Sequence, residues 1–240
     1  MTQTATRTSA DVMFSPAVKA IQARKGSRES YARVAETRGF RREVDADLAD
    51  RLAEATSFYL ATASADGQPY IQHRGGPKGF LKVLDSRTLA FADFSGNRQY
   101  ITQGNLSENP RAYIFLMDYA HRRRVKIWGT ARVVEDDAAL TESLMPGGYR
   151  ARPEQVILFT IEAWDTNCPQ HIPQKFDAAD VAEAIVVRDT RIAELIDSKA
   201  GLAARALDGS DEEVGSSSDV QLEALVTLLT EALEADPAIA

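Results

Sequence analysis

The sequence predicts a mainly β protein of the α+β class, a small antiparallel barrel with helices at both ends. Three observations predict it. Seven short segments between residues 58 and 164 have strand character, several joined by tight-turn residues. The run 123–134 sets Val125, Ile127, Gly129, Ala131 and Val133 against Lys126, Trp128, Thr130 and Arg132, the two-residue period of a half-buried strand. One helix-like run, residues 98–106, interrupts the series, and many short strands with a single mid-chain helix favour a barrel.

Residues 1–55 are expected to form an N-terminal helical arm. Its first fifteen residues are rich in Thr and Ser and are expected to be mobile. A helix over 16–38 presents Val18, Ile21, Tyr31 and Val34, with Gly26 as a breaker and Gly39 as a stop. A second helix, over 45–55, carries Leu48, Leu52 and Ala55 on one face. The arm either wraps the body or reaches a second subunit.

The barrel is assigned to residues 56–165. Strands over 58–63 and 69–72 flank Ser64-Ala65-Asp66-Gly67, and Asp-Gly between apolar runs signals a hairpin. His73-Arg74-Gly75-Gly76 reads as a turn, and the glycines up to Gly79 permit close approach of a ligand or merely a bulge. Segments 80–84 and 88–92 form a second hairpin around Asp85-Ser86. Ser95-Gly96-Asn97 is expected to cap the helix over 98–106, which Glu108-Asn109-Pro110 ends. Strands follow over 112–118, 123–134 and 155–164, with a short helix over 136–145.

Residues 166–177 contain two prolines and read as irregular. Residues 178–240 read as a C-terminal helical region. One helix covers 178–198, although Ala184-Ile185-Val186-Val187 also reads as a strand. Another covers 220–235, with Leu222, Leu225, Val226, Leu229 and Leu233 on one stripe, after an acidic Ser/Gly linker at 209–219.

Composition excludes several classes. The chain has 240 residues, 44% apolar and 26% charged, the balance of a soluble globular protein. No apolar run is long enough for a membrane span, and the N-terminus lacks a secretory pattern, so the expected location is cytoplasmic. Cys168 is the only cysteine, so no intramolecular disulfide can form. The net charge is -7, but nine acidic residues and no Lys or Arg follow Ala206, leaving 26 acids against 28 bases elsewhere. A body near +2 suits an anionic small molecule rather than nucleic acid. The basic run from His121 to Lys126 lacks flanking aromatics at stacking spacing apart from Trp128 and reads as a solvated strand edge.

Candidate site residues gather at strand ends. Arg74, Asn97 and Arg98 suit a phosphate dianion, which in a partly buried cleft needs charge-assisted donors. Taken alone they read as a solvated turn with an ordinary helix cap. Lys78 either assists the phosphate or points to water. His73 is a candidate catalytic proton donor, against the plain reading of a surface histidine. Cys168 and His171 stand three apart, but no second Cys/His pair completes a zinc site, so no metal is expected.

Further residues carry a resemblance. The segments Phe58-Tyr59-Leu60-Ala61-Thr62-Ala63, Asp66-Gly67-Gln68-Pro69, Arg74, Leu89-Ala90-Phe91 and Gly96-Asn97-Arg98 resemble the pyridoxamine 5'-phosphate oxidase-like family. Ser107-Glu108-Asn109-Pro110-Arg111 and Val125-Lys126-Ile127-Trp128-Gly129 continue the match, over roughly residues 50 to 165. The resemblance implies a split β-barrel that binds FMN, as a homodimer with the flavin at the interface. It implies phosphate contact by Arg74, with Gly75 and Lys78 beside it, and by Asn97 and Arg98. Ala92 and Asp93 would lie along the flavin, and Arg124 would reach its ring from the partner subunit. Asn167-Cys168-Pro169-Gln170-His171-Ile172 looks like a motif of an uncharacterised branch of the family, in which Cys168 and His171 would line the flavin pocket. The chain departs from the vitamin oxidase itself at Gln99, where that enzyme has a phosphate-binding lysine, and at residues 75–79. The activity implied is a two-electron oxidoreductase acting on a small molecule. The alternative is a non-catalytic module of the same fold that binds flavin, haem or deazaflavin.

Overall fold

The protein is represented by a computed structural model that describes residues 8–37, 39–166 and 169–207. It divides into two compact units, one ending at Asp177 and one beginning at Ala178.

The first unit is built on seven strands: β1 (Ser57–Ala63), β2 (Pro69–Gly75), β3 (Lys82–Val83), β4 (Thr88–Phe94), β5 (Arg111–Asp118), β6 (Arg123–Val134) and β7 (Pro153–Thr166). They form one sheet in the order β2-β1-β5-β6-β7-β4-β3, every neighbouring pair antiparallel. No ladder joins the edge strands β2 and β3. The sheet is open, the split form of the barrel that the sequence predicts.

Strand alternation decides what lies inside. Phe58, Leu60, Ile114, Leu116, Val125, Ile127, Phe159 and Ile161 share one buried core with Leu89 and Phe91. Phe58 stacks on Phe80 at 5.6 Å and meets Phe91 edge-on at 5.1 Å, so opposite arms of the sheet share one aromatic contact. β6 carries an irregularity between Trp128 and Gly129, where it meets β7. A Cβ on Gly129 would stand 2.0 Å from the Thr160 carbonyl oxygen, so this close approach of strands requires glycine.

The helices cover the sheet. Asp45 caps α4 (Ala46–Glu54), whose Leu48 and Leu52 are fully buried in the core. Upstream of it, Arg41 bridges to Trp164, whose indole Nε1 donates to the Glu43 carbonyl at 2.8 Å. These contacts fix the end of the arm, residues 41–54, against the sheet. α5 (Ile101–Glu108) is tied to the first hairpin by side chains: Thr102 Oγ1 donates to Gln72 Oε1 at 2.7 Å, and Asn105 Nδ2 to Thr62 Oγ1 at 3.0 Å. α6 (Ala138–Leu144) begins at its cap, Asp137, and closes a second apolar cluster with Ala90, Ala92 and Val156 through Leu144.

Several expectations need correction. Residues 73–75 are strand, not turn: Tyr59 pairs with His73, Phe58 with Arg74 and Ser57 with Gly75. The glycines beyond them serve packing and turning. A Cβ on Gly76 would sit 2.6 Å from the Phe80 ring, and Gly79 has φ 77°. The strand expected over 80–84 shrinks to Lys82–Val83, because Phe80 and Leu81 leave the ladder to enter the core. The helix expected from residue 98 starts at Ile101, behind a left-handed Tyr100 with no side-chain cap. The asparagine expected to cap it, Asn97, accepts instead from the Gln99 amide at 3.3 Å.

At the N-terminus, part of the stretch expected to be mobile is α1 (Ser9–Met13), held by a capping box between Thr8 and Asp11. The helix expected over 16–38 is two, α2 (Pro16–Arg24) and α3 (Arg28–Thr37), parted at Gly26 with φ 78°. The second unit holds α7 (Ala178–Leu207), 30 residues long, so 184–187 is helix and not strand. The expectations for residues 1–7, the linker at 209–219 and the helix at 220–235 lie outside the described residues. Among the described residues no helix is long and apolar enough to cross a membrane.

Candidate functional site

Register fixes where the candidates point. Arg74 lies in the inward row with Phe58, and Asp93 follows Leu89 and Phe91 along the inward row of β4. The two form an ion pair between Arg74 Nη1 and Asp93 Oδ1, each side chain only 12% exposed. Gln155 Nε2 donates to the other Asp93 oxygen at 2.9 Å. Arg74 is thus already neutralised by a carboxylate, while its Nε is buried without a partner. Two other arginines share that feature among the described residues, Arg51 on α4 and Arg124 on β6. A buried donor without an acceptor is costly.

Asn97 and Arg98 stand in the loop after β4, which is exposed from Ser95 to Tyr100. Arg98, with φ 58°, does not join the Arg74–Asp93 pair. Its Nε donates to the Tyr100 hydroxyl at 2.9 Å and lies 3.9 Å from Glu154, and its side chain is 70% exposed. Ser95 Oγ donates to the same Glu154 at 2.9 Å. Lys78 is exposed and 2.6 Å from Glu54 of α4. The Ala92 side chain is sealed in the second apolar cluster, and Gly75 packs against the His73 ring.

The outer face of β2, β1, β5 and β6 carries a second group. Register sets His73, Tyr59, Phe115 and Lys126 in one row, and Ile71, Ala61, Tyr113 and Trp128 in the next. Ile71 is 62% exposed and Tyr59 40%. Tyr113 meets Trp128 edge-on at 5.0 Å, and Tyr59 meets His73 at 5.6 Å. Burial pushes the Tyr113 phenol well above its ordinary pKa, against the nearby Arg124 charge that favours ionisation. Arg124, opposite Met117, belongs to this face. Here His73 is a member of an aromatic surface, with no general-base partner among the described residues.

The irregular segment after β7 docks on the β5–β6 turn. Gln174 Nε2 donates to the Ala120 carbonyl at 2.8 Å, and Lys175 lies 4.7 Å over the Tyr119 ring. Ile172 is buried, while His171 is exposed in a left-handed conformation. Cys168 lies outside the described residues. No cluster of three or more metal-ligating side chains occurs among the described residues.

Sequence reading missed Gln155 and Tyr113. Gln155 had a signal, since alternation along β7 places it on the same side as Ile157 and Phe159, where a polar group needs a partner. Tyr113 had a weaker one, as an outward member of a half-buried strand. Tyr100 and Glu154 gave none, because their contacts to Arg98 come from loop geometry.

The model of the family described as pyridoxamine 5'-phosphate oxidase matches residues 44–168, slightly more than half of the chain. Similar solved structures include the Group A Streptococcus protein HupZ, at 18% identity over 55% of this chain and 100% of that one, TM-score 0.43. A protein of Lactobacillus delbrueckii named as a candidate pyridoxamine 5'-phosphate oxidase is 25% identical over 52% of this chain and 95% of its own, TM-score 0.40. An FMN-binding protein of Syntrophomonas wolfei is 11% identical over 61% and 97%, TM-score 0.41. Among functionally curated proteins nothing matches.

Proposed function

Because this chain belongs to the pyridoxamine 5'-phosphate oxidase family, we propose that it is an FMN-binding flavoprotein and a two-electron oxidoreductase acting on a small organic molecule. The observation that carries the reading is the pair of buried, unpartnered Nε donors on Arg74 and Arg124. They fall at the two positions where the family resemblance expects phosphate and ring contacts. The donor set fits an anionic cofactor: Arg98 keeps an exposed guanidinium, and Asn97 stands beside it. Arg74, committed to Asp93 through Nη1, has Nε left to offer.

When bound, FMN supplies the electron pair chemistry. The chain's part is to bind and orient. Arg98 and Asn97 would hold the phosphate, and Arg124 would supply positive charge to an anionic cofactor. The apolar and aromatic outer face of Tyr59, Ile71, Tyr113, Phe115 and Trp128 supports a homodimer, since pairing would remove it from water. The substrate needs only to be held against the ring at close range, which demands no acid or base from the chain. A single cysteine, which can form no intramolecular disulfide, supports action in the reducing cytoplasm.

The visible spectrum of the purified protein tests this. Two absorption bands of oxidised flavin, with stoichiometric FMN released on denaturation, are the expected result. A Soret band, or a colourless protein that takes up deazaflavin and ignores FMN, would replace FMN by the alternative cofactor.

A further inference from the structure

α7 presents an apolar row that no described residue covers. Val181, Ile185, Ile192, Leu195 and Leu202 recur with Arg188 and Lys199 in alternating steps of four and three residues. That is the 3.5-residue repeat of a helix built to pair with another helix. The five apolar members are 43%, 44%, 47%, 48% and 59% exposed. A helix this long draws its stability from packing such a stripe rather than from propensity.

The two cations in the row restrict the partner. Arg188 is held by its exposed neighbour Asp189 at 2.9 Å, and exposed pairs of this kind contribute little. A second copy in parallel register would set Arg188 against Arg188 and Lys199 against Lys199. An antiparallel copy would offer them only the same row, which holds no carboxylate of its own. The fitting partner is an apolar-and-acidic helix.

The chain carries a segment of that composition. Leu222, Val226, Leu229 and Leu233 follow the same four-three-four spacing. Glu223, Glu231, Glu234 and Asp236 accompany them, and no Lys or Arg follows Arg205. Residues 208–219 hold six Ser and Gly and would span roughly 20 Å if unstructured; 16 residues would span about 24 Å if helical. That is enough to lay the segment back along half of α7, which is about 45 Å long. We propose that residues 220–235 of this chain cover the α7 stripe, with their carboxylates facing Arg188 and Lys199. This inference is independent of the flavin reading.

Amide hydrogen exchange on the full-length protein tests it. The amides of 178–207 are expected to be protected, equally at two protein concentrations about a hundredfold apart, because the partner is intramolecular. Leu229→Asp with Leu233→Asp is expected to speed their exchange at least about tenfold while the sheet amides keep theirs. A second arm preserves helix propensity. Arg188→Glu with Lys199→Glu loses the protection, and adding Glu231→Lys with Glu234→Lys restores it. Unprotected α7 amides, protection unaffected by the leucine changes, protection that fades on dilution, or failure of the charge swap to restore it would each overturn the proposal; fading on dilution would assign the face to a second copy.

Discussion

Arg74 of β2 is ion-paired to Asp93 of β4 although four strands stand between them in the sheet. No backbone ladder joins their strands, so the pair spans the opening of the split barrel through side chains alone. Both side chains are 12% exposed, and Gln155 holds the second carboxylate oxygen. The polar cluster therefore closes the rolled sheet where hydrogen-bonded strand pairing does not.

Removing one partner should cost more than removing both. Asp93→Ala leaves a buried guanidinium uncompensated, and a loss of about 3–5 kcal/mol is expected. Arg74→Met combined with Asp93→Leu should lose markedly less. Urea unfolding of the two single variants and the double variant measures the coupling, and strictly additive losses would show that the two groups are independent.

Arg98→Ala should weaken FMN binding by about 1.5–3 kcal/mol, the contribution of a hydrogen bond to a charged group. Its exposure means that the fold should be little affected, within about 0.5 kcal/mol. Flavin fluorescence titration reads the first quantity and thermal unfolding the second. Unchanged affinity would remove Arg98 from the phosphate site.

Gly129→Ala should be among the most damaging small substitutions in the sheet. The added Cβ would meet the Thr160 carbonyl oxygen at 2.0 Å and the Phe159 ring at 2.7 Å. Backbone cannot yield as a flexible side chain can, so a loss at or above the upper end of the usual ~1–3 kcal/mol for overpacking is expected. A melting temperature near that of the unaltered protein would count against this packing of β6 on β7.

Tyr113 should make the protein sensitive to alkali. Its pKa is raised in the folded state from the ordinary 10.0, mainly by burial, so the folded chain keeps a proton that the unfolded chain gives up. Its contribution is complete below pH 10.0 and declines as pH rises from there towards the folded pKa. Tyr113→Phe should flatten that alkaline decline while leaving stability at neutral pH nearly unchanged. Denaturant melts across the alkaline range, with the tyrosinate absorbance followed in parallel, supply the measurement.

Ile71→Lys with Tyr59→Lys should leave a monomer if the outer face of the sheet joins two subunits. Both side chains are already solvent-exposed in the single chain, so folding should survive the change. Sedimentation velocity distinguishes the outcomes, and an unaltered sedimentation coefficient would place any interface elsewhere.

Local chemistry was legible in the residues. The two-residue alternation of 123–134 gave β6 at its observed bounds, Asp45 marked the start of α4, and Gly26 marked the break between α2 and α3. These features depend on neighbours in the chain, whose preferences are written at the positions themselves. The HRGG segment misled because glycine permits a turn without requiring one, and pairing with β1 decided for strand.

The site divides along the same line. Sequence determined which cationic and amide side chains are available: Arg74, Asn97, Arg98 and Arg124. Only the tertiary structure decided that Arg74 turns inward onto Asp93 while Arg98 stays outside on Tyr100 and Glu154. The physical reason is reach. A strand's period tells which face a side chain takes, but the partner it meets across a rolled sheet is set by curvature and shear, and these belong to all seven strands together.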